Sequence, residues 1–333
     1  MPTLYRPVLS LYETQNAIGF IKQTFQQALA TRLHLIRATA PLFVDPATGL
    51  NDDLSGKERP VSFDIPGIPE ATAGAQIVHS LAKWKRQALG IYGFEENTGL
   101  YTDMNAIRRD EIPDATHSIY VDQWDWEKVI SRENRTEDML KRTVRSIAEA
   151  IYSTSESVKV LYPQIRVELE PEVSFISAQE LEDLYPELSP AQRENEYTRK
   201  HHTVFVTRIG GKLRSGSPHG DRAPDYDDWT LNGDLLYWDE TLQQALEISS
   251  MGIRVDAKAM ADQCRLAGCE NRLSLPFHQA VLEDRLPLSI GGGIGQSRLC
   301  MLLLGKAHIG EVQASLWPAQ MIHDCAKQGI RLL

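Results

Sequence analysis

Two short runs hold the residues best suited to chemistry. The first is Asp225-Tyr-Asp-Asp-Trp-Thr-Leu-Asn-Gly-Asp234, continued by Ala245-Leu-Glu-Ile-Ser-Ser-Met-Gly-Ile-Arg-Val255; the second is Ile290-Gly-Gly-Gly-Ile-Gly-Gln-Ser-Arg-Leu-Cys-Met-Leu-Leu-Leu304. They combine acids, a Gly-rich backbone and two arginines close to the ends of expected strands. Acids can carry a divalent cation and arginines can face phosphates, so the combination suits a metal-bound nucleoside triphosphate and points toward a carboxylate-activating ligase. Glu247 and Arg254 lie seven apart. The acid could hold Mg2+, which favours one or two carboxylates plus phosphate oxygens, while the guanidinium grips a carboxylate beside it. A plain ion pair is the alternative.

The glycine run nearly imitates a dinucleotide fingerprint, but G-x-G-x-x-G is unmet because position 296 is Gln and no repeated βαβ units precede it. The other use of such glycines is to let backbone lie flat against a purine, with Arg298, in the first turn of the following apolar helix, facing phosphates. Gly210-Gly-Lys-Leu lacks P-loop spacing, which leaves Lys212 a weak phosphate candidate. His201, His202 and His219 have no metal-ligand spacing. Four cysteines, Cys264, Cys269, Cys300 and Cys325, show no C-x-x-C pair and are expected as buried or free thiols.

The elements that position these groups follow from periodicity. Ile18, Ile21, Phe25, Leu29 and Leu33 recur every three or four residues and predict an amphipathic helix over Thr14–Leu33. His34 to Val44 is expected as a strand, with Pro41 at an edge or break. Asp45 to Gly74, rich in Gly, Pro and Asp, is expected as a loop, and its Asn51-Asp-Asp-Leu-Ser-Gly56 as turn chemistry. Ser80 is the expected N-cap of a helix carrying Lys83, Lys85 and Arg86. These form either a solvated cationic face or, for Lys85, a group near an anion-binding helix entrance. Strands are expected around 100–111 and 117–127, and in the second a period of two puts Gln123 and Asp125 on one face, more pocket wall than core. A helical pattern is read from Trp126 to about Leu161, the charged run Arg193–Lys200 as a solvated helix, and Thr203–Ile209 as a strand.

With 333 residues, 42% hydrophobic and 24% charged, the chain has ordinary globular composition. A net charge of -10 argues against a broad basic nucleic-acid surface. No segment approaches 18 apolar residues and the N-terminus lacks a signal-like apolar run, so a cytoplasmic protein without membrane attachment is expected.

Seven runs together resemble one family along nearly the whole chain. They are Asp52-Asp-Leu-Ser-Gly, His79-Ser-Leu-Ala-Lys-Trp-Lys-Arg-Gln, Gly99-Leu-Tyr-Thr, Tyr120-Val-Asp-Gln-Trp-Asp-Trp-Glu, Arg222-Ala-Pro-Asp-Tyr-Asp-Asp-Trp, Ser249-Ser-Met-Gly-Ile-Arg-Val-Asp and Gly291-Gly-Gly-Ile-Gly-Gln-Ser-Arg-Leu. The sequence resembles the ammonia-dependent asparagine synthetases, the aspartate-ammonia ligases of the asparagine synthetase A type, which are similar to the catalytic domains of class II aspartyl-tRNA synthetases. The resemblance implies an α+β fold of the class II aminoacyl-tRNA synthetase type, a mainly antiparallel sheet flanked by helices. It also implies one catalytic domain over residues 1–333 and a homodimer built through the N-terminal helix and the Pro41 strand.

The implied reaction joins ammonia to L-aspartate through a β-aspartyl-adenylate, with ATP as substrate, Mg2+ as cofactor, and AMP and pyrophosphate released. Carried over by residue, Arg108 would meet the α-phosphate, and Asp227, Asp234, Ser250, Gly293, Gly295 and Arg298 the nucleotide. Asp234 and Glu247 would hold Mg2+. Gln123 and Asp125 would take the α-amino end of aspartate, Ser80 would help bind it, and Lys85 and Arg254 would grip carboxylate oxygens, Arg254 in bidentate fashion if geometry allows. Arg108, Gln123 and Asp52 would serve catalysis directly. Asp52 would lie beside the activated carboxyl and accept a proton from ammonium; Asp53 competes for that role, and only alignment with Leu54-Ser-Gly selects the first.

A tRNA-acting relative would be expected to bring an anticodon-binding module, for which no spare or basic segment exists. A regulatory relative would be expected to have lost polar site residues, and all are filled. A glutamine-hydrolysing relative of the N-terminal nucleophile type needs Cys at position 2, where this chain has Pro, so free ammonia is the expected donor.

Overall fold

The computed structural model describes residues 5–52, 54, 58–68 and 73–333. In chain order the elements are α1 (Leu11–Leu33), β1 (Leu35–Arg37), β2 (Phe43–Val44), β3 (Ser62–Phe63), β4 (Ala75–Ile77), α2 (Ala82–Ile91), β5 (Gly99–Ile107), β6 (Tyr120–Val129) and α3 (Glu137–Leu161). Then come β7 (Ser174–Ser177), α4 (Ala178–Leu184), α5 (Pro190–His201), β8 (Thr203–Thr207), β9 (Asp227–Asp239), β10 (Gln244–Arg254), α6 (Ala257–Ala267), α7 (Pro276–Leu282), β11 (Ser289–Gly295), α8 (Gln296–Leu303) and α9 (Ala319–Lys327). An eight-stranded sheet runs β1-β5-β6-β11-β10-β9-β8-β7, and a small sheet runs β2-β4-β3. Only the outermost pairs of the large sheet, β1 with β5 and β7 with β8, are parallel. The rest is antiparallel, as expected from the sequence.

Helix α1 starts where Ser10 and Glu13 form a reciprocal capping box. Its stripe Ala17, Ile21, Phe25, Leu29 and Leu33 is fully buried, against α3 and the sheet. Each large side chain of that stripe contributes roughly 1.5–3 kcal/mol. Phe25 meets Trp124 of β6 with ring centroids 4.7 Å apart. Because side chains alternate along a strand, Trp124 and Trp126 take the helix side while Gln123 and Asp125 take the other, which is where the large cavity opens.

Four local expectations change. Trp126 to Val129 ends strand β6, and the helix begins only at Glu137, after Thr136 caps it; a short apolar run does not by itself distinguish strand from helix. The segment His34–Val44 splits into β1 and β2, which join different sheets, and Pro41 falls in the gap. The glycines from 291 to 295 are strand, paired on both sides with β6 and β10. Ser80 is not the N-cap of α2. Leu81 holds that position without a side-chain cap, its N–H donating to Asp125 Oδ2 at 3.3 Å, while Ser80 Oγ accepts from Ala82 N at 3.4 Å.

Candidate active site

A cavity of about 460 Å³ opens on the face of the sheet opposite α1 and α3, over β6, β11 and β10. Every residue to which the resemblance assigns a role lines it. Lys212, on an isolated bridge to Pro218, does not. Asp53 lies outside the described residues.

The floor is an ion-pair lattice laid over glycines. Arg254, at the end of β10 and 2% exposed, donates through Nε and Nη2 to Glu127, with Nη2 to Oε2 at 2.7 Å, and through Nη1 to Asp227 Oδ1. Its side-on edge is thus occupied by a protein carboxylate. The geometry does not allow the bidentate grip on a substrate carboxylate, although Arg254 still borders the cavity. Burial works against the Arg254 charge, yet Glu127 and Asp227 hold it above its ordinary range. Burial pushes Asp227 up, with Arg254 opposing. A Cβ on Gly291 would fall on the Glu127 carboxylate, and one on Gly293 would collide with Gln123 Oε1 and come within 2.7 Å of Asp125 Oδ1. The run is glycine because charged neighbours on β6 and β10 lean across it.

Lys85, Lys83 and Arg86 are all buried, so the solvated-face alternative does not hold. Lys85 Nζ donates to Gly292 O at 2.8 Å and sits 3.1 Å from Asp125 Oδ2. Burial lowers its pKa while Asp125 works the other way. Asp125 Oδ1 is buried without a hydrogen-bond partner, an acceptor left open toward the cavity beside Gln123.

At the other end, Arg298 in the first turn of α8 donates to Thr116 O at 3.2 Å and Glu247 O at 3.1 Å, and lies 3.9 Å from Glu247 Oε2. Burial, then the nearby Asp234 charge, raises the Glu247 pKa. Arg108, just past β5, has a buried Nε without a partner. Among the described residues no group of three or more metal-ligating side chains forms a cage. What exists is the pair Asp234 and Glu247, two carboxylates that both face the cavity. That donor set fits Mg2+, which is held by one or two carboxylates with the remaining positions filled by water and phosphate oxygens.

Asp52 closes the third side. Its Oδ1 accepts from Leu54 N at 2.9 Å, the expected turn, and its Oδ2 accepts from Ser80 Oγ at 2.9 Å. Both the turn and the cavity wall use this carboxylate. Its pKa is raised by burial, with Lys83 opposing.

A family model described as aspartate-ammonia ligase matches residues 12–329. The chain belongs to the aspartate-ammonia ligase family. It is 56% identical to the aspartate-ammonia ligase of Lactobacillus acidophilus over 334 residues, covering 100% of this chain and 99% of that one. It is also 56% identical to that of Clostridium perfringens over 333 residues, covering 100% and 98%. Among solved structures it is similar to asparaginyl-tRNA synthetase from Pyrococcus horikoshii in complex with asparaginyl-adenylate. There the TM-score is 0.66 at 16% identity, over 92% of this chain and 70% of that one. Aspartyl-tRNA synthetase from Entamoeba histolytica gives a TM-score of 0.59 at 13% identity, over 90% and 57%. These likenesses show the class II aminoacyl-tRNA synthetase fold.

In this aspartate-ammonia ligase family member, two groups without a counterpart among the expected site residues shape the cavity, Arg222 on its lining and Glu127 beneath it. Arg222 donates to Ser250 Oγ and, at 2.5 Å, to Asp234 Oδ1, leaving a buried Nε unpartnered. It immediately precedes Ala-Pro-Asp-Tyr-Asp-Asp-Trp, whose acids drew the attention. Glu127, two residues beyond Asp125, shares its face by the same alternation.

Proposed function

We propose that this ligase makes L-asparagine from L-aspartate, ammonia and ATP in two steps at this one cavity, as a cytoplasmic homodimer with one catalytic domain per chain. The observation that carries the reading is the convergence on one cavity of buried donor and acceptor atoms without hydrogen-bond partners. Arg108 and Arg222, each with such an Nε, line the same cavity as Asp234 and Glu247, and Asp125 with its open Oδ1 lines it with Gln123. The first set suits phosphates and the second an ammonium group of an amino acid.

A carboxylate is a poor electrophile because its oxygen does not leave. In the first step the β-carboxylate of aspartate attacks the α-phosphorus of ATP and expels pyrophosphate. Arg108 and Arg298 stabilise the charge that grows on the phosphoryl oxygens. Asp234 and Glu247 would hold Mg2+, which when bound neutralises phosphate charge. Gln123 and Asp125 hold the α-amino end and Lys85 a carboxylate oxygen, with Ser80 beside them. Arg254 fixes Glu127 and Asp227 beneath the substrate rather than grasping it by both oxygens. In the second step ammonium gives a proton to Asp52, ammonia attacks the acyl carbon, and the acyl–oxygen bond to AMP breaks as the new C–N bond forms, the second nitrogen proton passing to the departing phosphate or to water. A raised carboxylate pKa makes Asp52 a better proton acceptor than a solvated acid.

The dimer reading rests on exposed apolar residues of the N-terminal region. Val8, Tyr12, Ile36, Leu42 and Phe43 are 53%, 78%, 63%, 51% and 46% exposed, and β1 is an edge strand. Among the described residues no helix is long and apolar enough to cross a membrane.

The test uses purified protein with aspartate, ATP, Mg2+ and ammonium chloride, followed for asparagine, AMP and pyrophosphate. Asp52→Asn is expected to keep aspartate-dependent pyrophosphate exchange and lose asparagine formation, with Asp53→Asn much less affected. ADP and phosphate as the only nucleotide products would overturn the adenylate route; loss of both activities in Asp52→Asn would make that residue part of substrate binding or folding.

A further inference from the structure

Behind Asp52, and outside the cavity lining, lies a buried polar cluster that the two steps above do not use. Lys83 in α2 is 2% exposed, and Asp225 and His278 are fully buried. Lys83 Nζ donates at 2.7 Å to Asp225 Oδ2, and the same oxygen faces His278 Nε2 at 2.9 Å and Arg272 Nη1 at 3.4 Å. Lys83 Nζ also donates at 3.1 Å to the carbonyl of Asn51, the residue before Asp52.

The segment that Lys83 holds is docked from every side. Gly49 has φ 73°, and a Cβ there would lie 2.9 Å from Leu275 Cβ and 3.2 Å from His278 Nδ1, so the chain passes tightly over the start of α7. Asn51 Oδ1 accepts from Asp52 N at 3.0 Å and from His79 N at 2.9 Å. A buried ion pair is weak support for stability, because apolar residues of similar volume serve as well. Such a pair directly behind an acid that takes protons calls for another role.

We propose that Lys83 is a positioning residue for Asp52: anchored on Asp225, it holds the Asn51–Asp52 backbone from behind and presents its charge to the Asp52 carboxylate. This rests on the assignment of Asp52 as the acceptor of the ammonium proton. Among the described residues, the groups around that carboxylate are Lys83 from α2, Asp225 and Tyr226 from the chain entering β9, Ser80 and Leu54 through hydrogen bonds, and His79 against the Asp52 carbonyl. His278 and Arg272 reach Asp225 instead. Of the charges, Lys83 favours the ionised Asp52 most and Asp225 disfavours it. Lys83 therefore offsets part of the burial that favours the neutral acid.

The experiment measures asparagine formation and pyrophosphate exchange across pH for Lys83→Gln, which keeps a donor for the Asn51 carbonyl but loses the charge, and for Lys83→Arg, which keeps the charge. Comparison with wild type at each pH cancels the titration of ammonium itself. Lys83→Gln is expected to slow asparagine formation about tenfold at the acid end and to recover as pH rises, since an opposite charge close by is worth at least a pH unit. Exchange should keep its wild-type profile, and Lys83→Arg should restore most of the lost rate. An unchanged profile shape in Lys83→Gln, or equal loss of both reactions at every pH, overturns the proposal. If Lys83→Gln yields no folded protein, Asp225→Asn carries the same test with opposite sign: removing that repulsion should move the acid limb to lower pH, and no movement overturns the proposal. Asp52→Asn run alongside separates the two levels. An active Asp52→Asn removes the assignment underneath, whereas an inactive one with unmoved Lys83 and Asp225 variants removes this inference alone.

Discussion

Gly291→Ala is a one-methyl change whose effect can be worked from geometry. The new Cβ would lie 2.5 Å from Glu127 Cδ and 2.6 Å from Arg254 Nη2. Neither group can step aside cheaply. Glu127 is fully buried and held by Ser289 Oγ at 2.7 Å as well as by Arg254, and Arg254 is tied to Asp227 on its other side. The methyl therefore separates a buried pair, which costs about 3–5 kcal/mol. With an unfolding entropy near 2.1 cal/mol/K per residue, 333 residues unfolding together give about 0.7 kcal/mol/K, so Tm should fall by about 4–7 °C. Differential scanning fluorimetry and calorimetry both read this. Gly211→Ala is the control, since a Cβ there meets nothing within 4 Å. A Gly291→Ala protein melting within about 1 °C of wild type would refute the claim that packed charge, rather than bend or turn, requires the glycine.

Two further predictions concern the same lattice. Arg254→Lys keeps one charge but cannot bridge Glu127 and Asp227 together, so it should raise the KM for aspartate by about tenfold or more and lower Tm, with the KM for ATP less affected; unchanged aspartate kinetics sinks it. Asp234→Asn should raise the Mg2+ concentration needed for half-maximal pyrophosphate exchange while leaving the KM for aspartate near wild type; a Mg2+ titration that superimposes on wild type counts against the carboxylate pair as the metal position.

The residues legible in the sequence were those whose partners are close in the chain or whose pattern is periodic. Gln123 and Asp125 announced a pocket wall because alternation alone puts two polar groups on one face of an otherwise buried strand. The buried stripe of α1 followed from its spacing. The resemblance gathered residues from β5, β6, β9, β10 and β11 whose meeting no local rule expresses. What stayed hidden depends on contacts across long stretches of chain. Lys83 and Arg86 look like solvent-facing cations until Asp225 and the carbonyls of Val255 and Pro287 are found beside them. Glu127 meets Arg254 only because β6 and β10 flank β11. The glycine strand defies β propensity because its neighbours take the space where side chains would stand. Ser80 missed its cap because Asp125, from another element, supplies an acceptor at that helix entrance.

The Asp52 segment lies between strands of the three-stranded sheet, whereas Gln123, Asp125, Asp234, Glu247 and Gly293 stand on the eight-stranded one, with Lys85 on α2 and Arg298 on α8. On the proposed roles, that division separates the choice of acceptor from the act of activation. On those roles, a change confined to residues 45–79 would admit a different nucleophile to the same acyl group, be it water, hydroxylamine or a small amine, without disturbing a strand of the large sheet. The scaffold would in that sense be a general acylating device, and ammonia the guest that one wall admits.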